Sequence, residues 1–295
     1  MSAPKFFAPR YWPTWLMVAV FAVLVHLPWR VHLACGRAIG RLALRFAHRR
    51  RQITTANLAL CMPELEAADR ERLLREHFEA LGLGLVEIAA GWWLPDRRLP
   101  KNLLVNGLEH LQAALAQGHG VLLLTAHFTT LEIGARILSL HHPVMAVYRP
   151  HENPVLDRVI RAGRRRRSAG IIERGDLRGL LRALKEGGVV WYAPDQAYLG
   201  AHGVDAPFFG VPAPTNTATA RIAAASHAPI LPFFVRRLPG RAGYRVDIRP
   251  PLLGFPSGDP LLDATRVNAV LEAGIRQAPA QYLWSHDRFK RFRRP

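Results

Sequence analysis

The sequence predicts an α/β fold, a mainly parallel central sheet flanked by helices, preceded by an N-terminal membrane-embedded helix and a helical lead-in. Three observations predict it. From residue 103 onward, short apolar runs of the buried-strand kind alternate with amphipathic segments. Residues 31–94 carry helical periodicity and no strand signal. The stretch Leu16–Val25 is an unbroken apolar run bordered by aromatic residues.

The N-terminal run comes first. Tyr11, Trp12 and Trp15 lead into it, and His26, Leu27, Pro28 and Trp29 close it. It falls short of the roughly 20 residues that span a bilayer comfortably, and the aromatic flanks bring it close. Trp and Tyr at both ends suit the headgroup boundary. Only Lys5 and Arg10 precede the run, whereas Arg30, Arg37, Arg41, Arg45 and the block His48–Arg51 follow it. That asymmetry predicts a cytoplasmic main domain. A cleaved signal peptide would need small residues where Pro28-Trp29-Arg30 stands. A buried core helix is the other reading of so short a run. The chain therefore divides into an anchor helix over residues 1–30 and one domain over 31–295, with a helical lead-in at 31–100 and an α/β core at 101–295.

In the lead-in, Arg37, Arg41 and Arg45 share one helix face, with Leu33, Ile39, Leu42 and Phe46 on others. Pro63 ends one element. Another begins near Ala67 and runs through Phe78, Leu81, Leu85 and Ile88 to Trp92-Trp93, before Pro95 and Pro100. Strands are expected at Val121–Leu124, Val144–Tyr148, Val189–Tyr192, Ile230–Val235 and Tyr244–Ile248. Helices are expected at Leu131–Leu140, 154–167, Leu177–Glu186, Ala218–Ser226 and 263–277, the third stopped by Gly187-Gly188.

The 40 Lys and Arg against 22 Asp and Glu give a net charge of +18. Such a balance implies an anionic partner without choosing among nucleic acid, lipid and acidic protein. Nucleic acid ranks last, because no nucleic-acid module is recognisable. The two cysteines, Cys35 and Cys61, are too few for a disulfide framework and read as free thiols in a reducing compartment.

Chemistry concentrates after the strand Val121–Leu124. In open α/β sheets, reactive groups collect where strands end and helices begin, and His127 stands at such a junction. Its imidazole can take a proton from an attacking hydroxyl near neutral pH. It needs a partner to fix its tautomer, and Glu132 is the nearby carboxylate. In a continuous helix that spacing turns the two side chains about 140° apart, so a turn must intervene. A structural reading competes, since Thr129-x-x-Glu132 has the form of a helix capping box.

The pattern His127-x-x-x-x-Glu132 after an apolar strand resembles the hallmark of the glycerolipid and lipid A acyltransferases. The segments Tyr148–Pro154, Gly163–Arg167, Pro194-Asp195-Gln196, Pro207–Gly210, Ala218–Arg221 and Gln281–Lys290 occur in order. Together they resemble the lipid A late (secondary) acyltransferases, the lauroyl/myristoyl transferase family, from Tyr11 to the end. The resemblance implies an acyl-carrier-protein thioester as donor and, as acceptor, the hydroxyl of a 3-hydroxyacyl chain on a lipid A precursor. It implies residence at the inner membrane with the catalytic domain on the cytoplasmic side, and neither cofactor nor metal. Within it, His127 is the general base and Glu132 orients and charges it, capping its helix as well. Backbone N–H groups after Phe128 are candidate oxyanion donors.

Arg149 and Arg164 are candidate phosphate ligands, and Asp195 and Gln196 are candidate substrate-binding residues at the same sheet edge. Phe208-Phe209 and Trp92-Trp93 are candidates to line an acyl slot. The chain departs from the family pattern at Ala197, where a second acidic residue is usual, and at Asp287, where an arginine is usual. A different lipid acceptor (a lysophospholipid, an ornithine lipid or a glycolipid) and a non-catalytic basic membrane-binding protein are the alternatives.

Overall fold

A computed structural model describes residues 6–240 and 242–290. Four helices form the lead-in: α1 (Trp12–Leu24), α2 (Trp29–Phe46), α3 (His48–Cys61) and α4 (Ala67–Trp93). The α/β core follows as β1 (Leu103–Asn106), α5 (Leu108–Leu115), β2 (Val121–Leu124), α6 (Leu131–Leu138), β3 (Met145–Tyr148), α7 (Pro154–Arg165) and β4 (Gly170–Glu173). It continues with α8 (Leu177–Lys185), β5 (Val189–Tyr192), β6 (Gly203–Phe208), β7 (Val211–Asn216), α9 (Ala218–Ser226), β8 (Ile230–Arg237), β9 (Tyr244–Ile248) and α10 (Pro260–Gln277).

Seven strands form one sheet in the order β1-β9-β8-β2-β5-β3-β4. The strands β8, β2, β5, β3 and β4 run parallel, and the β8–β9 pair is antiparallel. The two remaining strands, β6 and β7, make a separate hairpin. Strand β2 shows why the sheet is central: all four of its residues are buried, Leu122 and Leu124 in the core on one face and Val121 and Leu123 in the core on the other. A strand with both faces covered has no polar side and reads as a continuous apolar run.

The lead-in is fixed by close backbone approach. Where α2 crosses α4, a Cβ on Gly82 would lie 2.0 Å from the Gly36 carbonyl oxygen, and one on Gly40 would lie 2.2 Å from that of Phe78. Only glycine admits that distance. Further along α4, Glu87 is buried and accepts from the Arg237 guanidinium at 2.5 and 2.6 Å, and from the Tyr244 hydroxyl. This ion pair ties α4 to β8 and β9.

The N-terminal helix is shorter than the anchor expected over residues 1–30. Helix α1 has 13 residues, or about 20 Å at 1.5 Å per residue, against roughly 30 Å of hydrocarbon. Among the described residues no helix is long and apolar enough to cross a membrane. The run stops at Leu24 because Pro28 opens a new helix at Trp29, and the closing aromatic residue belongs to that next element. Lys5, counted in the charge asymmetry, lies outside the described residues.

The α2–α4 crossing yields a direct test. Gly40→Ala places a methyl group against the Phe78 carbonyl and should destabilise the fold by about 1–3 kcal/mol. The check is a lower thermal midpoint in detergent, and an unchanged midpoint contradicts the crossing.

Candidate active site

The site lies at the C-terminal ends of the parallel strands. Strands β2 and β5 pair in register, with Leu124 opposite Tyr192, and the Thr125 N–H donates to the Tyr192 carbonyl at 3.0 Å. His127 follows Leu124 by three positions, and Asp195 follows Tyr192 by three. The register therefore delivers both residues to one point. Asp195 accepts from the His127 backbone N–H at 3.1 Å through one oxygen and sits 2.6 Å from the ring Nδ1 through the other. With Nδ1–H donated to the carboxylate, Nε2 is left as the proton acceptor.

Asp195 is 3% exposed and His127 30% exposed. Burial works against the charged imidazole, yet the Asp195 carboxylate outweighs it and holds the ring above its ordinary value of 6.5. Burial also works against the Asp195 charge, and His127 reverses that effect and keeps the carboxyl below its usual range. The guanidinium groups of Arg164 and Arg174 oppose protonation of His127.

Glu132 sits elsewhere in the same site. It lies in the first turn of α6, where its two oxygens face away from the His127–Asp195 contact. One accepts from the Trp92 indole N–H at 2.7 Å. The other accepts from Arg164, at 3.0 Å from Nε and more closely from a terminal nitrogen. The structure thus assigns Asp195, rather than Glu132, as the partner of the His127 ring. Nor does Glu132 close a capping box. The Thr129 N–H donates to the Gln281 carbonyl at 2.8 Å, and the N-cap Thr130 turns its hydroxyl to Val235. Both Asp195 oxygens meet His127, so the residue expected to bind substrate stands here against the imidazole.

Other expectations resolve in the same way. The N–H groups of Phe128, Thr129 and Leu131 donate to the carbonyls of Ala126, Gln281 and Phe128, so these three are engaged within the fold. Arg164 is committed to Glu132 and stacks on the Tyr148 ring at 5.1 Å. Arg149, at the end of β3, and Arg174, after β4, are exposed and enter no ion pair among the described residues. Phe208 and Phe209 are core residues packed with Tyr282, Trp284 and Phe289. Of the expected slot residues, Trp92 alone faces the site.

A cavity of about 710 Å³ opens beside His127. One wall is apolar, built from Leu131, Ala135, Ala146, Val147 and Trp191. The remaining lining includes Arg50, Arg149, Arg164, Arg174 and Gln196. Gly163 is what lets α7 close this wall, since a Cβ there would lie 2.5 Å from the Trp92 ring. Two participants were missed from sequence: Arg174, just past a short strand without a clear apolar run, and the Trp92 contact. Among the described residues no cluster of His, Cys, Asp and Glu is arranged to hold a metal ion.

An oriented imidazole at a sheet edge, opening on a cavity with one apolar and one cationic wall, defines an enzyme site that can activate a hydroxyl on a ligand both greasy and anionic. The chain belongs to the bacterial lipid A biosynthesis acyltransferase family, whose model matches residues 2–291. It is 42% identical to the lipid A biosynthesis lauroyltransferase of Escherichia coli (strain K12) over 98% of this chain and 96% of the relative. It is 40% identical to the palmitoleoyltransferase of the same strain, over 97% and 94%. With the myristoyltransferase of that strain it shares 26% identity, over 94% and 86%. The chain is accordingly an acyltransferase of lipid A biosynthesis.

The pH profile checks the pair. His127 must be neutral to accept a proton, so kcat/KM should fall as pH drops through a limb above 6.5. Asp195→Asn removes the charge that raises this value. The limb should move to lower pH while kcat falls on the order of 10³–10⁴-fold, as for a mis-set tautomer. A limb that stays in place contradicts the pairing.

Proposed function

We propose that the enzyme transfers a lauroyl- or myristoyl-like chain from an acyl-carrier-protein thioester to the hydroxyl of a 3-hydroxyacyl chain on a lipid A precursor. The observation that carries this reading is the His127–Asp195 contact at the mouth of a cavity with an apolar wall. His127 Nε2 takes the hydroxyl proton as the oxygen attacks the thioester carbonyl carbon. Asp195 fixes the ring and stabilises the imidazolium that forms. Collapse of the tetrahedral intermediate breaks the C–S bond. The imidazolium then protonates the departing sulfur, leaving an ester and a free thiol.

Developing charge on the carbonyl oxygen needs a fixed positive field. Arg164 supplies it, held against drift by Glu132 and Tyr148. Glu132 serves catalysis by anchoring that guanidinium, with Trp92 holding the carboxylate's other oxygen. Arg50, Arg149 and Arg174 line the cavity with no carboxylate partner among the described residues, and Arg149 and Arg174 bind phosphate on the acceptor. Gln196, in the same wall, contacts the acceptor's polar groups.

The enzyme works at the inner membrane from the cytoplasmic side. No residue of α1 is buried, and Trp12, Leu16, Met17, Val20 and Val23 are exposed on it. Arg30, Arg41 and Arg45 on α2 are exposed beside it. A short apolar helix followed by arginines suits embedding in one leaflet, with guanidinium groups at anionic headgroups.

Mass spectrometry of lipid A tests the acceptor. Deleting the gene should remove one acyl chain, the wild-type gene should restore it, and His127→Ala should not. Unchanged lipid A together with a missing ornithine lipid or phospholipid species would replace the acceptor. Membrane placement has its own test. Changing Leu16, Val20 and Val23 together to Gln should release the protein from pelleted membranes, whereas continued sedimentation would move the anchor to another surface.

A further inference from the structure

The segment Pro279–Lys290 crosses beneath the site. It bridges the two loops that carry His127 and Asp195. On the first loop, Tyr282 forms an antiparallel bridge with Phe128. There the Leu283 N–H donates to the His127 carbonyl at 2.9 Å, and the Thr129 N–H donates to the Gln281 carbonyl at 2.8 Å. On the second loop, the Ala197 N–H donates to the His286 ring at 3.3 Å. Burial holds that ring neutral near pH 7, with a pKa lowered to about 4, so it remains an acceptor.

The segment is itself pinned from three elements. The Gln281 side chain makes both hydrogen bonds of the Arg237 backbone on β8, at 2.8 and 2.9 Å. The Asn57 amide on α3 donates to the Trp284 and His286 carbonyls at 2.7 and 2.8 Å. On α4, the His77 ring meets the Ala280 carbonyl at 3.2 Å.

Two of its buried side chains, Tyr282 and Arg288, lie within electrostatic reach of the Asp195 carboxylate. Tyr282 is 3% exposed, and its hydroxyl is held protonated by burial and by the neighbouring Asp195 charge. Arg288 is 2% exposed. Its guanidinium donates to the Pro214 carbonyl and, at 2.7 Å, to the Thr215 hydroxyl. It enters no ion pair among the described residues. A buried cation held only by neutral acceptors is costly, and its field reaches Asp195 and favours the ionised carboxylate.

The catalytic cycle explains the expense. In the base-ready state His127 is neutral, and Asp195 is then a buried anion without a cation in contact. Something else must compensate its charge, or the pair holds a proton it should not. We infer that Tyr282 and Arg288 are positioning residues for the His127–Asp195 pair, keeping Asp195 ionised and aimed while His127 is neutral. The inference rests on the proposed role of that pair. The other titratable groups around the pair are Arg164 on α7, Arg174 after β4, His286 on the segment itself and Cys61 on α3. None of them is altered by the substitutions below.

The test uses the full-length enzyme in detergent, with acyl-carrier-protein thioester and lipid A precursor. Tyr282→Phe keeps the ring that packs on Phe128, Phe208 and Trp284 and removes only the hydroxyl. Loss of a donor or a cation near the pair favours its protonated form. The acid limb of kcat/KM should therefore move to higher pH, by about half a unit or more in Tyr282→Phe and further in Arg288→Met. The fall should be in kcat, about tenfold or more, with KM for both substrates unchanged. Arg288→Lys, which restores the charge, should return the limb toward its wild-type position.

A Tyr282→Phe enzyme with lower kcat and an unmoved limb would reduce the segment to a structural strap and overturn the inference. The same holds if Arg288→Lys leaves the limb where Arg288→Met put it. If Arg288→Met fails to fold, the Tyr282→Phe profile decides alone. His127→Ala measured alongside separates the two levels. An active His127→Ala enzyme removes the catalytic pair itself, whereas an inactive one with an unshifted Tyr282→Phe profile removes only this inference.

Discussion

The contact between His127 and Asp195 exists because β2 and β5 are neighbours in register. Neither residue belongs to a strand. Each stands three positions past the last paired residue of its own strand, Leu124 or Tyr192. Slipping the register by one residue would send the buried side chains of β2 to the opposite core and carry His127 away from the carboxylate. The Leu122/Leu124 and Val121/Leu123 division between the two cores therefore holds more than stability. It sets the 2.6 Å contact on which the proposed proton transfer depends.

This also explains what was legible in the sequence and what was not. His127 was legible because an apolar strand followed by a polar junction marks a sheet edge. Most core elements were legible for the same reason of periodicity; Ala218–Ser226 and Tyr244–Ile248 appear with the expected limits. The partner of His127 was not. Glu132 is near in sequence, and a turn seemed enough to bring it round. Asp195 lies 68 positions away, and pairing across that distance depends on strand order, which the sequence does not display. Strand β5 enters the sheet between β2 and β3, against the order of the chain. Strand β4 and the β6–β7 hairpin were missed where Gly, Pro and short length blur alternation. The helical stretch before Pro63 divides into α2 and α3 at Ala47, where no glycine or proline announces the bend.

The positive charge reads differently once its locations are known. Much of the arginine content is spent internally: Arg164 on Glu132, Arg237 on Glu87, Arg136 and Arg167 on Asp96, Arg161 on Asp157 and Glu173. A run such as Gly163–Arg167 is therefore no uniform basic patch. Gly163 seats α7 on Trp92, Arg164 turns inward to Glu132, and Arg167 braces the end of α4 through the Leu94 carbonyl. Among the described residues, the cavity cations without a carboxylate are Arg50, which donates to the Ser285 carbonyl, and the exposed Arg149 and Arg174.

The same packing relates the active site to the proposed lipid surface. Helix α1 rests on α7, where the Asn153 amide donates to the Thr14 hydroxyl at 2.8 Å and Arg158 stacks on the Phe6 ring at 5.1 Å. The same helix presents Arg164 to the cavity. One helix thus separates the apolar exposed surface of α1 from the reacting groups. An acceptor whose acyl chains remain in a bilayer and whose phosphates lie at the headgroup level needs such an arrangement. Its hydroxyl must reach His127 while most of its hydrocarbon stays out of water. A catalytic domain tethered by a long spanning helix would leave that distance to chance. In the proposed placement, a short helix at one leaflet, bonded to α7 beside the cavity, sets it by contact.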